Sequence, residues 1–162
     1  MIKITTANTI DIPTINRLAN EIWVPTYKEY LPLLQITLML EELFSPAALQ
    51  QQMSDGHIFK LVSFAGVEFG FASYSETSRE GIYKLHRLYL HPKSHNLGFG
   101  RKLLKAIEKE IIAKGGTSLE LNVNRSNSAN VFYLKMGYYV VSHLDIPYHH
   151  YVLNDLLMKK EL

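Results

Sequence analysis

The stretch Leu88–Arg101, Leu-Tyr-Leu-His-Pro-Lys-Ser-His-Asn-Leu-Gly-Phe-Gly-Arg, has the residue types and spacing best suited to chemistry in this chain. An apolar segment, Ile82–Leu90, runs into a Pro-containing loop. Gly98 and Gly100 then open a segment whose apolar residues Leu103, Leu104, Ile107 and Ile111 recur at helical spacing. A strand, a glycine turn and a helix start leave backbone N–H groups at the positive end of a helix dipole, which suits an anion. Glycine has no Cβ, so a phosphate can approach the backbone closely. Two glycines also make ordinary turns, so the pattern has to be tested against known phosphate loops. A Walker loop needs Gly-Lys-Ser/Thr, and here Arg101 and Lys102 follow Gly100. A dinucleotide fingerprint needs a third glycine where Leu103 stands and its first glycine close behind the strand, but His91–Leu97 intervene. Glu120, at the distance of a ribose contact, falls inside a strand-like segment. Within Ile82–Leu90, His86 alternates with Leu88 and Leu90, so the three share a face. Its imidazole suits a general base near neutral pH; a hydrogen-bonded or surface histidine fits the position as well.

The order Leu88-Tyr-Leu-His-Pro, then His95-x-x-Gly98-x-Gly100-Arg101, resembles the acetyl-CoA loop of the GNAT N-acetyltransferases, with His95 where that family usually has Arg or Gln. A second segment, Asn124-Arg-Ser-Asn127-Ser-Ala-Asn-Val-Phe-Tyr133-Leu-Lys-Met-Gly137-Tyr138, resembles the family pattern of Asn, a small residue, then Phe-Tyr-x-Lys-x-Gly-Phe/Tyr. Asn127 is the better match to the family asparagine and Asn124 the reserve. The resemblance covers essentially the whole chain and implies acetyl-CoA as cofactor. It assigns the backbone at Leu88, Tyr89 and Leu90 to the pantetheine arm, and His95, Asn96, Leu97, Gly98, Phe99, Gly100 and Arg101 to the pyrophosphate. Asn124, Asn127 and Tyr133 complete the implied cofactor contacts. Tyr133 matches the tyrosine that protonates the leaving thiolate, against a plain anchoring role that Phe132 fills more readily. The Leu90 N–H is then expected to polarise the thioester carbonyl as a one-donor oxyanion site. Many relatives have a glutamate where His86 stands, which makes His86 and Tyr133 the catalytic candidates.

Trp23, Tyr27, Tyr30 and Tyr74 are candidates to line an acceptor pocket, where rings hold a cationic amine by cation–π contact; Trp23 suits the core equally. Phe44-Ser-Pro-Ala-Ala-Leu and the ending from Asp155 resemble, more loosely, the polyamine (spermidine/spermine) acetyltransferase branch. The expected reaction is acetyl transfer to a primary amine of a small molecule, a polyamine among them. The alternatives are a protein or peptide N-terminal or lysine acetyltransferase and a non-catalytic acyl-CoA-binding sensor, with a nicotinamide-binding protein more remote. His149 and His150 are expected to alternate along a strand to opposite faces, so no metal is expected.

The elements that must position these residues follow from periodicity. Ile2–Thr5 reads as a strand, and Asp11 as the cap of a helix that ends near Pro25. Thr26–Leu34 reads as a loop or short helix, Thr37–Phe44 as a helix, and Ser45-Pro46 as the start of a third. Ile58–Phe64 and Val67–Ser75 form a hairpin about Ala65-Gly66, followed by the strand to Leu90. A helix from about Phe99 stops at Gly115-Gly116. Ser118–Val123 is a strand, Asn127–Met136 a helix, and Tyr138–Asp145 and Tyr148–Met158 the last strands. That order resembles the GNAT fold, an α/β (α+β mixed) domain over residues 1–162. It has a twisted, mostly antiparallel sheet of about seven strands with helices on both faces. In this family paired final strands often build homodimers.

Composition agrees with one globular domain. The 162 residues are 47% hydrophobic and 20% charged, with a net charge of +2 and no like-charge block, so nucleic-acid binding is not expected. The absence of cysteine removes disulfides, thiolate metal sites and a cysteine acyl-enzyme. No apolar run has the length of a signal or a membrane span, so a cytoplasmic protein with no membrane partner is expected.

Overall fold

The computed structural model describes residues Met1–Leu162. Its strands are β1 (Ile2–Thr6), β2 (Ile58–Phe64), β3 (Val67–Glu76), β4 (Ile82–Leu90), β5 (Ser118–Asn124), β6 (Tyr139–Tyr148) and β7 (Tyr151–Glu161). Its helices are α1 (Ile12–Tyr27), α2 (Leu33–Phe44), α3 (Pro46–Ser54), α4 (Phe99–Ala113) and α5 (Ala129–Lys135). Hydrogen bonding joins the strands in the order β1-β2-β3-β4-β5-β7-β6. The β4–β5 pair is parallel, and β1–β2, β2–β3, β5–β7 and β6–β7 are antiparallel. Parallel neighbours need a long crossover, which α4 supplies. This is the mixed, mostly antiparallel seven-stranded α/β fold expected from the sequence. No helix is long and apolar enough to cross a membrane.

Contacts divide the chain into two compact units, Met1–Ser75 with Arg87–Ala106, and Glu76–His86 with Ile107–Leu162. In the first, Ile15, Leu18, Ala19 and Ile22 of α1 form a sealed stripe at helical spacing. The helix is preceded by a single 3-10 turn capped by Asn8. Asn8 Oδ1 accepts from the Ile10 N–H and Asp11 Oδ2 from the Asn8 N–H, both at 2.9 Å. Asp11, expected to cap α1, thus serves the turn before it. Pro25 does not end α1 as its missing N–H suggested. Lys28 N–H still donates to the Val24 carbonyl at 2.9 Å, and Thr26 Oγ1 to the Ile22 carbonyl at 2.7 Å, which holds the last turn. Helix α2 begins earlier than expected, at Leu33, because the Pro32 carbonyl already accepts from Ile36. Ser45 caps α3 by accepting from the Ala48 N–H. Ala65 and Gly66 turn the β2–β3 hairpin with φ of 51° and 79°. In β3 the pairing passes from Val62↔Gly70 to Ser63↔Glu68, so Phe69 is an extra, bulged residue.

In the second unit β4 pairs Ile82–Leu85 with Ser118–Leu121 of β5. Leu119, Leu121, Ile107, Ile111 and Met158 are fully or almost fully buried there. Gly116 closes the turn after α4 where a Cβ would collide with Ile111 and Tyr83. Strand β6 runs through Pro147, three residues past the expected end at Asp145. It is the outer strand of the sheet, where a proline nitrogen need not donate. His149 and His150 lie in the two-residue turn between β6 and β7 rather than in a strand. Each ring packs against a neighbouring tyrosine, His149 edge-on to Tyr148 at 5.0 Å and His150 tilted against Tyr151 at 4.1 Å.

Candidate active site

The anion-suited loop lies in the first unit. After Leu90, His91 Nδ1 caps a 3-10 turn (Pro92–Ser94) by accepting from the Lys93 N–H. Asn96 and Gly98 follow with φ of 63° and 82°. The chain is thereby wound so that α4 starts at Phe99, and the first helical bond is Lys102 N–H to the Gly98 carbonyl, at 3.1 Å. The amides of Phe99 and Gly100 precede it and have no intrahelical acceptor. Phe99, 5% exposed, anchors this helix start on Phe69 and Phe64, with ring centroids at 5.4 and 6.3 Å. Nothing lies within 4 Å of where a Gly98 Cβ would stand. The first turn of α4 carries no acidic side chain, and Lys93, His95, Arg101 and Lys102 flank it. Open space, backbone donors and the cations of Lys93, Arg101 and Lys102 fit a pyrophosphate. Leu97, next to Gly98 in the loop, is 61% exposed.

His95 does not extend from the loop. Its Nε2 lies 3.1 Å from the Leu90 carbonyl, and because a carbonyl only accepts, Nε2 is the donor. His95 therefore ties the loop back to the end of β4. The side chain of Tyr89 lies in a ring cluster with Trp23 (5.5 Å), Tyr27 (6.3 Å), Phe44 (6.2 Å) and Phe71 (5.9 Å). Tyr27 Oη and Tyr89 Oη lie 3.2 Å apart. Tyr30 packs on Tyr27 at 5.5 Å. Burial, and then the neighbouring Tyr89 phenol, push Tyr30 up to about 12.

The structure thus gathers three of the four acceptor-pocket candidates, Trp23, Tyr27 and Tyr30. Trp23 is 2% exposed with its Nε1 unpartnered within the chain. Tyr74, on β3, is fully buried. Arg87 joins this cluster with its guanidinium carbon 5.4 Å from the Phe44 centroid. Sequence reading passed over Arg87, although its period-two spacing from Tyr89 was the available signal.

In the second unit, Tyr133 is 6% exposed on α5, edge-on to Phe132 (5.2 Å) and Tyr138 (5.8 Å). Asn124 Oδ1 accepts from the Ser126 N–H and Asn127 Oδ1 from the Ala129 N–H, both at 2.9 Å. Both asparagines therefore spend their side-chain oxygens on turns that lead into α5, which begins two residues later than expected. Arg125, also passed over in the sequence, staples this turn to the last hairpin. It donates to Asp145 (2.7 Å) and to the carbonyls of Leu144 and Asp155. His86 lies on β4 beyond the β4–β5 ladder, half-buried.

Residues 32–152 match the acetyltransferase (GNAT) domain family. The chain belongs to the GNAT acetyltransferases. Acetyl-CoA-dependent N-acetyl transfer is the activity of that family. PaiA N-acetyltransferase of Thermoplasma acidophilum, solved with coenzyme A, is 26% identical with a TM-score of 0.87, over 100% of this chain and 99% of that one. The Escherichia coli ribosomal-protein alanine N-acetyltransferase shares the fold at 18% identity and a TM-score of 0.75, over 99% and 94%. YncA of Salmonella typhimurium, solved with acetyl-CoA, shares it at 20% and 0.67, over 99% and 93%. No curated protein matches the sequence.

Proposed function

We propose that residues 1–162 act as one domain that acetylates a primary amine of a small molecule. The observation that carries the reading is the loop His91–Arg101, where Gly98 opens space before the first turn of α4 and that turn carries no acidic side chain. When bound, acetyl-CoA supplies the acetyl group as a thioester. The first-turn amides and the basic side chains beside them would hold its pyrophosphate, and the backbone at Leu88 and Leu90 would meet the pantetheine amides. An alkyl ammonium has a pKa near ~10.4, so only about one amine in a thousand is nucleophilic at neutral pH. His86 takes the ammonium proton, and Tyr133 holds the proton that the departing thiolate needs. The rings of Tyr27, Tyr30 and Tyr89 favour a compact cationic acceptor over an extended peptide.

The Escherichia coli relative, which acts on a ribosomal protein, supports a second reading in which the acceptor is a protein N-terminus. Thiol release from acetyl-CoA, followed with spermidine, a lysine peptide and a peptide with a free N-terminal alanine, separates the two. Fastest turnover with spermidine is expected. His86→Gln and Tyr133→Phe should each lower kcat by roughly 10²–10⁴-fold, with coenzyme A affinity kept. Coenzyme A binding with no turnover on any amine would leave a sensor in place of the enzyme.

A further inference from the structure

Glu108 is a carboxylate 5% exposed that no step above uses, and its partners tie three elements together. Tyr138 Oη donates to Glu108 Oε2 at 2.8 Å. Lys160 Nζ donates to both carboxylate oxygens, at 3.2 and 3.1 Å, and lies 5.6 Å from the Tyr138 ring centroid. Helix α4, the residue that leaves α5, and strand β7 thus meet on one carboxylate. Burial, followed by the Glu108 charge, raises the Tyr138 phenol well above its ordinary value, so it stays a donor. Withdrawing such groups from water costs about as much as their contacts return, so the cluster adds geometry more than stability.

Tyr133 needs geometry supplied from outside its own helix. Helix α5 has 7 residues, far below the length at which a helix holds itself. The Tyr133 ring meets the Tyr138 ring at 72° and 5.8 Å, and the Tyr138 N–H donates to the Tyr133 carbonyl at 3.0 Å. Gly137, with φ of 95°, turns the chain between them, 3.4 Å from Lys160 Cε at the position of a missing Cβ. Whatever fixes Tyr138 therefore fixes Tyr133, through a ring face and through the backbone.

We propose that Tyr138, Glu108 and Lys160 form a clasp that positions the Tyr133 phenol for proton transfer. The proposal rests on the reading of Tyr133 as the proton donor. Phenylalanine fills the ring volume of Tyr138 without the hydroxyl, so Tyr138→Phe releases the clasp and little else. The test is a double-mutant cycle of Tyr138→Phe with Tyr133→Phe, measuring kcat, KM for acetyl-CoA and Tm with the fastest amine of the panel above. Tyr138→Phe should lower kcat roughly 10-fold, less than the ~10²-fold that a displacement of about 1 Å costs, and leave KM for acetyl-CoA unchanged. In the Tyr133→Phe background it should lower kcat no further, while the Tm loss is the same in both backgrounds. Glu108→Gln keeps an oxygen for the Tyr138 hydroxyl and should retain more activity than Tyr138→Phe. Lys160→Met enters the same cycle if Tyr138→Phe does not fold. A fluorotyrosine spectrum of the coenzyme A complex reads the clasp without turnover, through a shifted Tyr133 resonance in Tyr138→Phe. Wild-type kcat in Tyr133→Phe would overturn the proton-donor reading itself. With that loss present, the clasp is overturned by an equal kcat loss in both backgrounds, or by an unmoved Tyr133 resonance.

Discussion

At His57 burial and the Arg87 charge act in one direction. Burial first, and then the Arg87 cation, lower the imidazole below its ordinary value, with Asp55 opposing them. A basic group whose folded value is lowered adds stability above its unfolded value, near ~6.5, and loses it as pH falls toward the folded value. His57→Gln should therefore flatten the decline of Tm between about pH 6.5 and the lower value, leaving the slope at higher pH unchanged. Equal slopes in both proteins would mean that the site does not distinguish the two protonation states. None of this was legible in the sequence. His57 and Arg87 are thirty positions apart, and only the fold sets one charge beside the other. The glycines of the loop were legible because their task is local. Gly98 adopts the left-handed conformation that a turn before a helix requires.

At the scale of elements, order and type were readable from periodicity, whereas boundaries failed where a neighbour overrode a local signal. Pro25 was the expected end of α1, and Pro147 lies beyond the expected end of β6. One is carried through by the bonds around it, and the other lies on an outer strand. The bulge at Phe69 had a subtler sign, the glycine at position 70. A Cβ on Gly70 would overlap the Tyr89 carbonyl oxygen and crowd Leu90. Backbone lies on that side, so a rotamer change gives no relief. Gly70→Ala should cost about 1–3 kcal/mol of stability and displace the end of β4, from which the His91–Arg101 loop continues. Denaturant unfolding with coenzyme A titration checks it. An alanine variant of wild-type stability would show that β3 and β4 yield at this point.

For the whole molecule, the question is whether binding at one loop stabilises everything. No linker separates the two units, because β4 and α4 each run through both. Unfolding should therefore be one transition, and ligand held by the His91–Arg101 loop should move all of it. Coenzyme A at about a hundred times its dissociation constant adds ~2.7 kcal/mol, which for a chain of this size is a Tm increase of roughly 5–10 °C. NAD should give none, since its fingerprint is absent. Gly98→Val tests the same point from the protein side. A branched side chain at a φ of 82° is strained, and it projects into the space left open for the anion. The variant should lose about 1–2 kcal/mol without ligand and the whole of the coenzyme A shift with it. A retained shift would move the pyrophosphate off this loop. Two transitions, with only one responding to ligand, would mean that the continuous strand and helix do not couple the units. The one-domain reading would then fail, although the cradle itself would stand.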